Sequence, residues 1–428
     1  MNQDMKLMVS MMIISGVFIF SNCSSSKKNV VTTMDVSKNE LSALLQQYPL
    51  YFDSIVKRKD ELNAQVIYTR IDRKRNGKAA FTDYYFNVDD NNYFYPASTV
   101  KFPVAILALQ KLNELSIPGL DKNTTMITET EEDWQTAVYN DPNSPDGRPT
   151  IAGYIKKILL VSDNDAFNRL YEFLGQEYIN TSLHKMGYEG VQIIHRLDVS
   201  FNEEQNRKTN PVRFYDSSGR LIYEKPGERS GLVYAQRNTK LGKGYMSGNK
   251  LINEPFDFSK KNRLSLTDLH AILRSIMFPG NVPASKRFDL TAADYDFLHK
   301  YMSMFPRESK FPFYDSSEYN DTYAKHFMYG SDKVKMEPGI RIFNKTGTAY
   351  GFLIDLSYVA DFTHDIEFIL VAAISCNSDG IYNDDKYDYD TTGYPFFKHL
   401  GRVVYDHELK RERKYKPDLS SLRFDYSE

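Results

Sequence analysis

The segments with strand character lie at the two ends of the chain, and segments with helical spacing lie between them. Such an order can complete a sheet only if the two ends meet in space, so the middle of the chain must form an inserted helical lobe. A ligand-binding cleft between the two lobes follows from this arrangement. Strands are predicted at residues 64–71, 79–88, 341–345, 352–359 and 366–376. Helices are predicted at residues 41–56 with an interruption at Pro49, and at 99–115, 151–160, 166–174, 266–277, 292–304 and 394–409.

The composition fits one large α/β (α+β) unit. Of the 428 residues, 41% are hydrophobic, which is sufficient for a core of that size. The formal net charge of -2 results from 54 basic and 56 acidic residues that are mixed along the chain. This mixing argues against a nucleic-acid partner.

The N-terminal segment predicts export. Lys6 precedes an apolar run at residues 7–20, which is too short to span a membrane but has the length of a signal-peptide core. Initiation at Met5 would remove Asp4 from a region that should be positive. We therefore expect residues 1–22 to be a signal peptide and the mature protein to reach the periplasm.

The end of the apolar run resembles a bacterial lipobox, with Cys23 as the lipidated residue. Phe20 and Asn22 stand where an aliphatic and a small residue are commoner, so cleavage without lipidation is the alternative. In the lipoprotein interpretation, lipid on Cys23 attaches the protein to a membrane and residues 23–40 are the tether.

Ser98 is the candidate nucleophile. A serine followed three residues later by lysine occurs at six places, but only Ser98 follows an extended segment and opens a helix that is apolar on almost every face. Lys101 then lies one turn further along the same face. A lysine can take the proton of a serine hydroxyl only if burial destabilises its ammonium, and the first turn of a buried helix provides that burial.

Two further short motifs carry polar groups on the element types that this chemistry needs. Ser162-Asp163-Asn164 lies between two predicted helices, where Ser162 can pass a proton to the leaving nitrogen and Asn164 can hold the lysine and the substrate. Asp163 is expected to cap the following helix. Lys345-Thr346-Gly347-Thr348 ends a predicted strand, so its cation and hydroxyls can bind a substrate carboxylate while Gly347 lets substrate backbone approach. The N–H groups of Ser98 and Thr348 would form the oxyanion hole.

These motifs, in this order, resemble the S-x-x-K, S-D-N and K-T-G set of class A β-lactamases and penicillin-binding proteins. The resemblance implies an antiparallel sheet flanked by helices and an inserted all-helical lobe, with acylation of Ser98 by an amide or β-lactam carbonyl. It assigns residues 41–428 to one domain. The expected sheet lobe is about 41–95 plus 335–428, and the expected helical lobe is about 96–334.

The water-activating group of the family is harder to place. Arg196-Leu197-Asp198 resembles the start of the loop that carries the family's glutamate, but counting from either end puts Phe201 or Asn202 at the catalytic position. Glu203 and Glu204 follow closely, so a shifted loop could deliver one of them; otherwise they are exposed charges. No basic residue follows Gly347 at the usual distance, which leaves carboxylate binding to Lys345, Thr346 and Thr348.

Three functions are therefore open: a β-lactamase-type serine hydrolase, a D-alanyl-D-alanine peptidase that acts on peptidoglycan peptides, and a penicillin-binding receptor without turnover. Neither a cofactor nor a metal is expected, because the eight histidines are scattered and the acidic loop 384–390 lacks the ligand order of a calcium loop. The polar stretch 207–262, with a hairpin signal at 212–224, is either a solvated surface insertion or a flap over the cleft.

Overall fold

The main sheet has five antiparallel strands in the order β10-β11-β12-β1-β2, in a computed structural model that describes residues 39–427. Strands β1 and β2 come from the N-terminal part of the chain, and β10, β11 and β12 come from the C-terminal part, as the sequence predicts. The strands of the smaller sheets belong to the middle of the chain, apart from β13, which follows β12. In chain order the strands are β1 (Gln65–Arg73), β2 (Ala79–Phe86), β3 (Thr125–Thr128), β4 (Val212–Tyr215), β5 (Leu221–Lys225), β6 (Lys240–Leu241), β7 (Gly244–Ser247), β8 (Lys250–Ile252), β9 (Phe256–Asp257), β10 (Ile340–Ala349), β11 (Phe352–Asp361), β12 (Ile366–Ser375) and β13 (Ile381–Tyr382).

The helices agree closely with the predicted positions, with three differences. Ser98 lies in a short 3₁₀ turn, Ala97–Val100, that precedes the long buried helix. The sequence predicts neither the helix at 176–185 nor the short helix at 203–207. In chain order the α-helices are α1 (Glu40–Gln47), α2 (Pro49–Lys57), α3 (Lys101–Leu115), α4 (Ile151–Val161), α5 (Asn164–Leu174), α6 (Gln176–Lys185), α7 (Glu203–Arg207), α8 (Leu266–Met277), α9 (Ala292–Ser303) and α10 (Tyr394–Lys410).

The pairing of β1 with β12 joins the N-terminal and C-terminal parts of the sheet, and in it Thr69 lies opposite Ile369. Strand β2 pairs with β1 on one side of this pair. On the other side, β11 pairs with β12, and β10 pairs with β11. Strand β10, which carries the Lys345 motif, is therefore an edge strand of the main sheet. One of its sides is free to contact the lobe that holds Ser98.

Both faces of the main sheet are covered, because successive side chains of a strand point to opposite faces. On β12, Leu370 and Ala372 face a core formed with α1, α2 and α10, whereas Ile369 and Val371 face the core shared with the rest of the chain. Helix α8 packs on this second face against β1, β11 and β12. It therefore belongs to the sheet, and the expected assignment of all residues from 96 to 334 to the helical lobe is wrong for this segment.

The helical lobe is built around α3, whose residues 102–109 are all buried. Helices α4 and α5 contact α3, and the three-stranded sheet β3-β4-β5 lies beside them. The predicted hairpin is present as β4 and β5, and Val212 and Phe214 are fully buried in the core. The first part of the 207–262 stretch is thus an integral part of the lobe rather than a solvated excursion.

The second part of that stretch reaches the main sheet. Strand β7 pairs with β13 near the C-terminal end of the sheet, and the rings of Phe256 and Phe258 pack against Tyr350, which follows β10 directly. Phe258 also contacts Tyr95, three residues before Ser98. The stretch therefore forms a wall next to the end of β10, which agrees more closely with the flap alternative.

Within residues 39–427, no helix has the length and apolar character needed to cross a membrane. The expected signal peptide, Cys23 and nearly all of the tether lie outside the described residues.

Candidate active site

Ser98 lies at the mouth of a cavity of about 420 Å³. The backbone before it is unusual, because Ala97 has a positive φ of 47°. An alanine in the left-handed region costs free energy, and such residues persist where the surrounding structure fixes them. The turn directs Ser98 into the cavity, and Lys101 begins helix α3 immediately behind it.

The edge strand β10 fixes this turn. A Cβ atom added to Gly347 would lie 2.8 Å from the carbonyl oxygen of Pro96 and 3.0 Å from Cγ2 of Thr99. Gly347 is therefore needed so that the strand can contact the turn that carries Ser98. This close approach of two protein segments is a reason for the glycine besides the predicted one, room for substrate backbone, which stays a prediction.

Lys101 is fully buried, and residues of the Ser162-Asp163-Asn164 motif hold its ammonium. Its ammonium donates to the carbonyl oxygen of Ser162 at 2.5 Å, to Asn164 Oδ1 at 2.6 Å and to Ser162 Oγ at 3.3 Å. Burial lowers the pKa of Lys101 to about 7, although the carboxylates of Asp163 and Asp198 oppose this shift. A substantial fraction of Lys101 is thus neutral at pH 7, as a proton acceptor requires.

Ser162 connects the two lysines of the site. It ends helix α4 with a positive φ of 62°, and its Oγ accepts a hydrogen bond from Lys345 at 2.8 Å. Lys345 also donates to the carbonyl oxygen of Thr346 at 2.7 Å. Burial, together with the nearby ammonium of Lys101, lowers the pKa of Lys345 well below its usual value. Because both lysines donate to Ser162 Oγ, its own hydrogen is left for a group in the cleft.

The remaining residues of the second motif support these contacts. Asp163 caps helix α5 by accepting from the N–H of Ala166 at 2.8 Å, as expected from the sequence. Asn164 uses both ends of its amide: Oδ1 accepts from Lys101, and Nδ2 lies 3.4 Å from Oδ2 of Asp198. Thr348 lines the cavity, whereas Thr346 is buried beneath it.

The structure does not bring Glu203 or Glu204 to Ser98. Both lie on the short helix α7 and are about half exposed, and neither lines the cavity that holds Ser98. Glu203 pairs with Arg207 and Lys260, and Glu204 forms a bidentate pair with Arg229. These hydrogen bonds lower the pKa of each carboxyl and hold both side chains on the outer surface. The expectation that a shifted loop delivers one of them is therefore wrong for this geometry.

Asp198 is the carboxylate that the sequence interpretation missed. It is the one acidic residue among the described residues that line the Ser98 cavity, and it has a positive φ of 56°. Aspartate tolerates this conformation better than most residues. The signal was present in Arg196-Leu197-Asp198, which marked the loop but was not considered as the source of the base.

Arg196 holds this loop in place. Its guanidinium forms a bidentate pair with Glu172 of α5, at 2.6 and 2.8 Å, and both side chains are buried. It also donates to the carbonyl oxygens of Gln205 and Lys208 at the other end of the loop. The buried pair thus ties both ends of the segment that carries Asp198 to the helical lobe.

Lys261 is a second residue that the sequence interpretation missed. It comes from the end of the 207–262 stretch and lines the Ser98 cavity near Tyr350. Its ammonium lies 5.6 Å from the ring centre of Tyr350 and 5.9 Å from that of Phe256. The cleft therefore has a cation beside the end of β10, although the sequence after Gly347 supplies none.

Residues 55–225 match the model of a family described as "Beta-lactamase enzyme family". The match includes Ser98, Lys101 and Ser162, and it ends before Lys345. Comparison with the curated proteins found no match.

Several solved structures are similar to the chain at low sequence identity. A class A β-lactamase from Clostridium kluyveri is 15% identical, with a TM-score of 0.46, and the alignment covers 84% of this chain and 98% of that one. A β-lactamase from Chitinophaga pinensis is 13% identical, with a TM-score of 0.46 and coverage of 85% and 98%. A mutant PBP-A in an acyl-enzyme complex with penicillin G is 16% identical, with a TM-score of 0.44 and coverage of 86% and 96%.

The family match, together with the sheet and the inserted lobe described above, confirms the resemblance to the β-lactamase and penicillin-binding serine hydrolases. The predicted fold, an antiparallel sheet flanked by helices with an inserted helical lobe, is also confirmed. The roles assigned to Ser98, Lys101, Ser162 and Lys345 stay predictions, which the geometry makes testable.

We predict that Glu172→Gln destabilises the protein strongly. Removing one partner of a buried ion pair leaves an uncompensated charge, which costs about 3–5 kcal/mol of the free energy of unfolding. Glu203→Gln is the matched control, because Glu203 also pairs with an arginine near this loop but is exposed, and its loss should cost less than about 1 kcal/mol. Urea unfolding followed by circular dichroism measures both. Equal costs would contradict the anchoring role of the Arg196–Glu172 pair.

Proposed function

We propose that the protein is a serine hydrolase that opens β-lactams through an acyl-enzyme on Ser98. The observation that carries this proposal is the burial of Lys101, three residues after Ser98, with its ammonium bonded to Ser162 and Asn164 and its pKa lowered to about 7. A lysine without this environment would stay protonated and could not activate a hydroxyl.

The acylation step can be followed through the chain's own groups. Neutral Lys101 takes the proton of Ser98 Oγ as the oxygen bonds to the carbonyl carbon. When the carbon–nitrogen bond breaks, Ser162 gives its hydroxyl proton to the leaving nitrogen. The protonated Lys101, whose Nζ lies 3.3 Å from Ser162 Oγ, replaces that proton and becomes neutral again. Lys345 and Thr348 are the candidate partners for the carboxylate of the leaving half.

Release of the acyl group requires an activated water. We assign this role to Asp198, which lines the cavity with Ser98 and lies within hydrogen-bond reach of Asn164. A carboxylate in this position can take a proton from water as the water oxygen bonds to the acyl carbon, and the ester bond then breaks as that proton is passed to Ser98 Oγ. Asp198 is exposed, however, and is held by a single side-chain contact. We therefore expect deacylation to be the slower step.

Two alternatives share the same acylation step. A D-alanyl-D-alanine peptidase would use the site on peptidoglycan peptides, and a penicillin-binding receptor would be acylated without turnover. Substrate preference separates the peptidase from the β-lactamase, and turnover of either substrate separates both from the receptor.

We also propose that the protein acts in the periplasm as a lipoprotein anchored through Cys23. The support for this is the N-terminal sequence, in which the apolar run of 7–20 is followed by Cys23 and a polar tether. Metabolic labelling with an alkyne fatty acid, compared between the native chain and Cys23→Ala, tests it. Equal labelling of both would overturn the anchor.

We predict that a penicillin forms one covalent adduct per chain and that Ser98→Ala abolishes it. Intact-protein mass spectrometry of the chain from residue 24 onward measures the adduct. Ser247→Ala is the matched control, because Ser247 has the same spacing to a lysine but lies in a surface hairpin. An adduct that persists in Ser98→Ala would rule out this nucleophile.

We predict that the acylation rate rises with pH around a midpoint of about 7. Below the pKa of Lys101 its ammonium is protonated and cannot accept the serine proton, so the rate should fall about tenfold per pH unit and should level off above pH 8. Stopped-flow measurement of acylation by a chromogenic cephalosporin gives the profile. A rate that is constant between pH 5.5 and 8.5 would contradict Lys101 as the base.

We predict that Asp198→Asn leaves acylation intact and slows loss of the adduct by about 100-fold, the usual contribution of a general base. Following intact mass after removal of free penicillin measures this loss. Glu204→Gln is the control and should clear its adduct at the native rate. If Asp198→Asn also clears at the native rate, Asp198 is not the base; if the native adduct itself persists, the receptor or peptidase alternative is favoured.

A further inference from the structure

A second cavity, of about 680 Å³, adjoins the Ser98 cavity. It lies between the 195–206 loop and the second part of the 207–262 stretch. The two cavities share His195, Arg196, Val199 and Lys261 in their linings, so they meet along one side of this loop. The cleft is therefore longer than the space immediately around Ser98.

The second cavity has an excess of positive charge. Most of its charged groups are already paired: Arg207 and Lys260 with Glu203, and Arg196 with Glu172. Lys261 and Arg237 are different, because no carboxylate among the described residues forms an ion pair with either of them. The other acidic group of the lining, Asp257, accepts instead from the N–H of Ser259 at 2.8 Å.

The side chain of Arg237 is tied to the backbone of Lys261. Arg237 donates through Nη2 to the backbone carbonyl of Lys261 at 2.5 Å, and its Nε and Nη1 are buried without a hydrogen-bond partner in the described part of the chain. Its guanidinium otherwise lies over the ring of Tyr93. Two N–H groups of a guanidinium that lack an acceptor are costly, and a bound anion would reduce that cost.

The position of these cations indicates which part of a ligand they would meet. Lys345, at the Ser162 side of the site, is the candidate partner for the carboxylate of the leaving half. Arg237 lines only the second cavity, beyond the 195–206 loop, and Lys261 lies where the two cavities meet. A ligand that used both regions would therefore carry a second carboxylate, in the half that becomes attached to Ser98.

We propose that the second cavity is an anion-binding extension of the Ser98 cleft, which takes a carboxylate carried by the acyl half of a peptide substrate through Lys261 and Arg237. The inference rests on the proposed acylation at Ser98 for the direction in which the substrate lies. It adds a preference among substrates, for acidic peptides over neutral ones, and it gives the 207–262 stretch a role in recognition.

Binding without reaction tests the extension. Ser98→Ala protein is titrated calorimetrically with two synthetic peptides that end in D-alanyl-D-alanine and differ only in one glutamate of the acyl half, which is free or amidated. We expect the free carboxylate to bind about tenfold more tightly. Lys261→Gln and Arg237→Gln, each combined with Ser98→Ala, should reduce this preference to less than about twofold.

Two further variants separate charge from general damage. Lys261→Arg should keep the preference because it keeps the cation, and Lys250→Gln should keep it because Lys250 lines neither cavity. Circular dichroism melts of all variants verify that they are folded. Loss of preference in Lys250→Gln, or its survival in both the Lys261→Gln and Arg237→Gln variants, would overturn the assignment.

The binding test can fail or succeed independently of whether Ser98 is acylated. Equal affinities for the two peptides, or no binding of either, overturn the extension even if Ser98 is acylated by penicillin. A clear preference for the free carboxylate, in a protein whose native form gives no penicillin adduct, supports the binding site and overturns the proposed acylation instead.

Discussion

The pairing of β1 with β12 is the constraint on which the rest of the structure depends. It joins the N-terminal and C-terminal parts of the domain. The chain therefore leaves the sheet after β2 and returns to it at β10. The returning strand β10 then forms the edge of the sheet, where it contacts the turn before α3. Ser98 and Lys345, which are far apart in sequence, come together because of this closure rather than through any local preference.

Desolvation gives the site its chemistry. Lys101 and Lys345 are both buried, and a third lysine, Lys325, lies fully buried behind the same strand. Lys325 donates to the carbonyl oxygens of Met302 and Ile342 and to Asn344 Oδ1, and burial lowers its pKa to about 7. Burial lowers the pKa of all three lysines, and the charges of Lys101 and Lys325 lower that of Lys345 further. The arrangement therefore keeps a proton acceptor behind Ser98 without a histidine.

The sequence predicted the features that depend on local pattern. The strands and most helices were found because apolar periodicity records which faces are buried, and the three motifs were found because each stands on a defined element. Periodicity does not say what a buried face packs against, so α8 was assigned to the wrong lobe. The pairing of Glu203 with Lys260 and of Glu204 with Arg229 joins distant parts of the chain. Local sequence patterns do not reveal contacts between distant segments, so neither these pairs nor the position of Lys261 in the cleft could be predicted. Asp198 depended on a loop conformation that no periodicity encodes.

The close contact between Gly347 and the turn at Pro96 forms the floor of the cleft. This floor tolerates substitution less than the walls of the cleft do. The floor leaves no space for even one methyl group, so substitutions there disturb the nucleophile before they can alter what is bound. The walls, formed by the 195–200 loop and by Lys261, are held to the protein mainly by side-chain contacts. A search for variants with new ligands is therefore best directed at Lys261 and at the wall residues other than Arg196 and Asp198, where an altered side chain changes recognition and leaves the proposed reacting groups where they are.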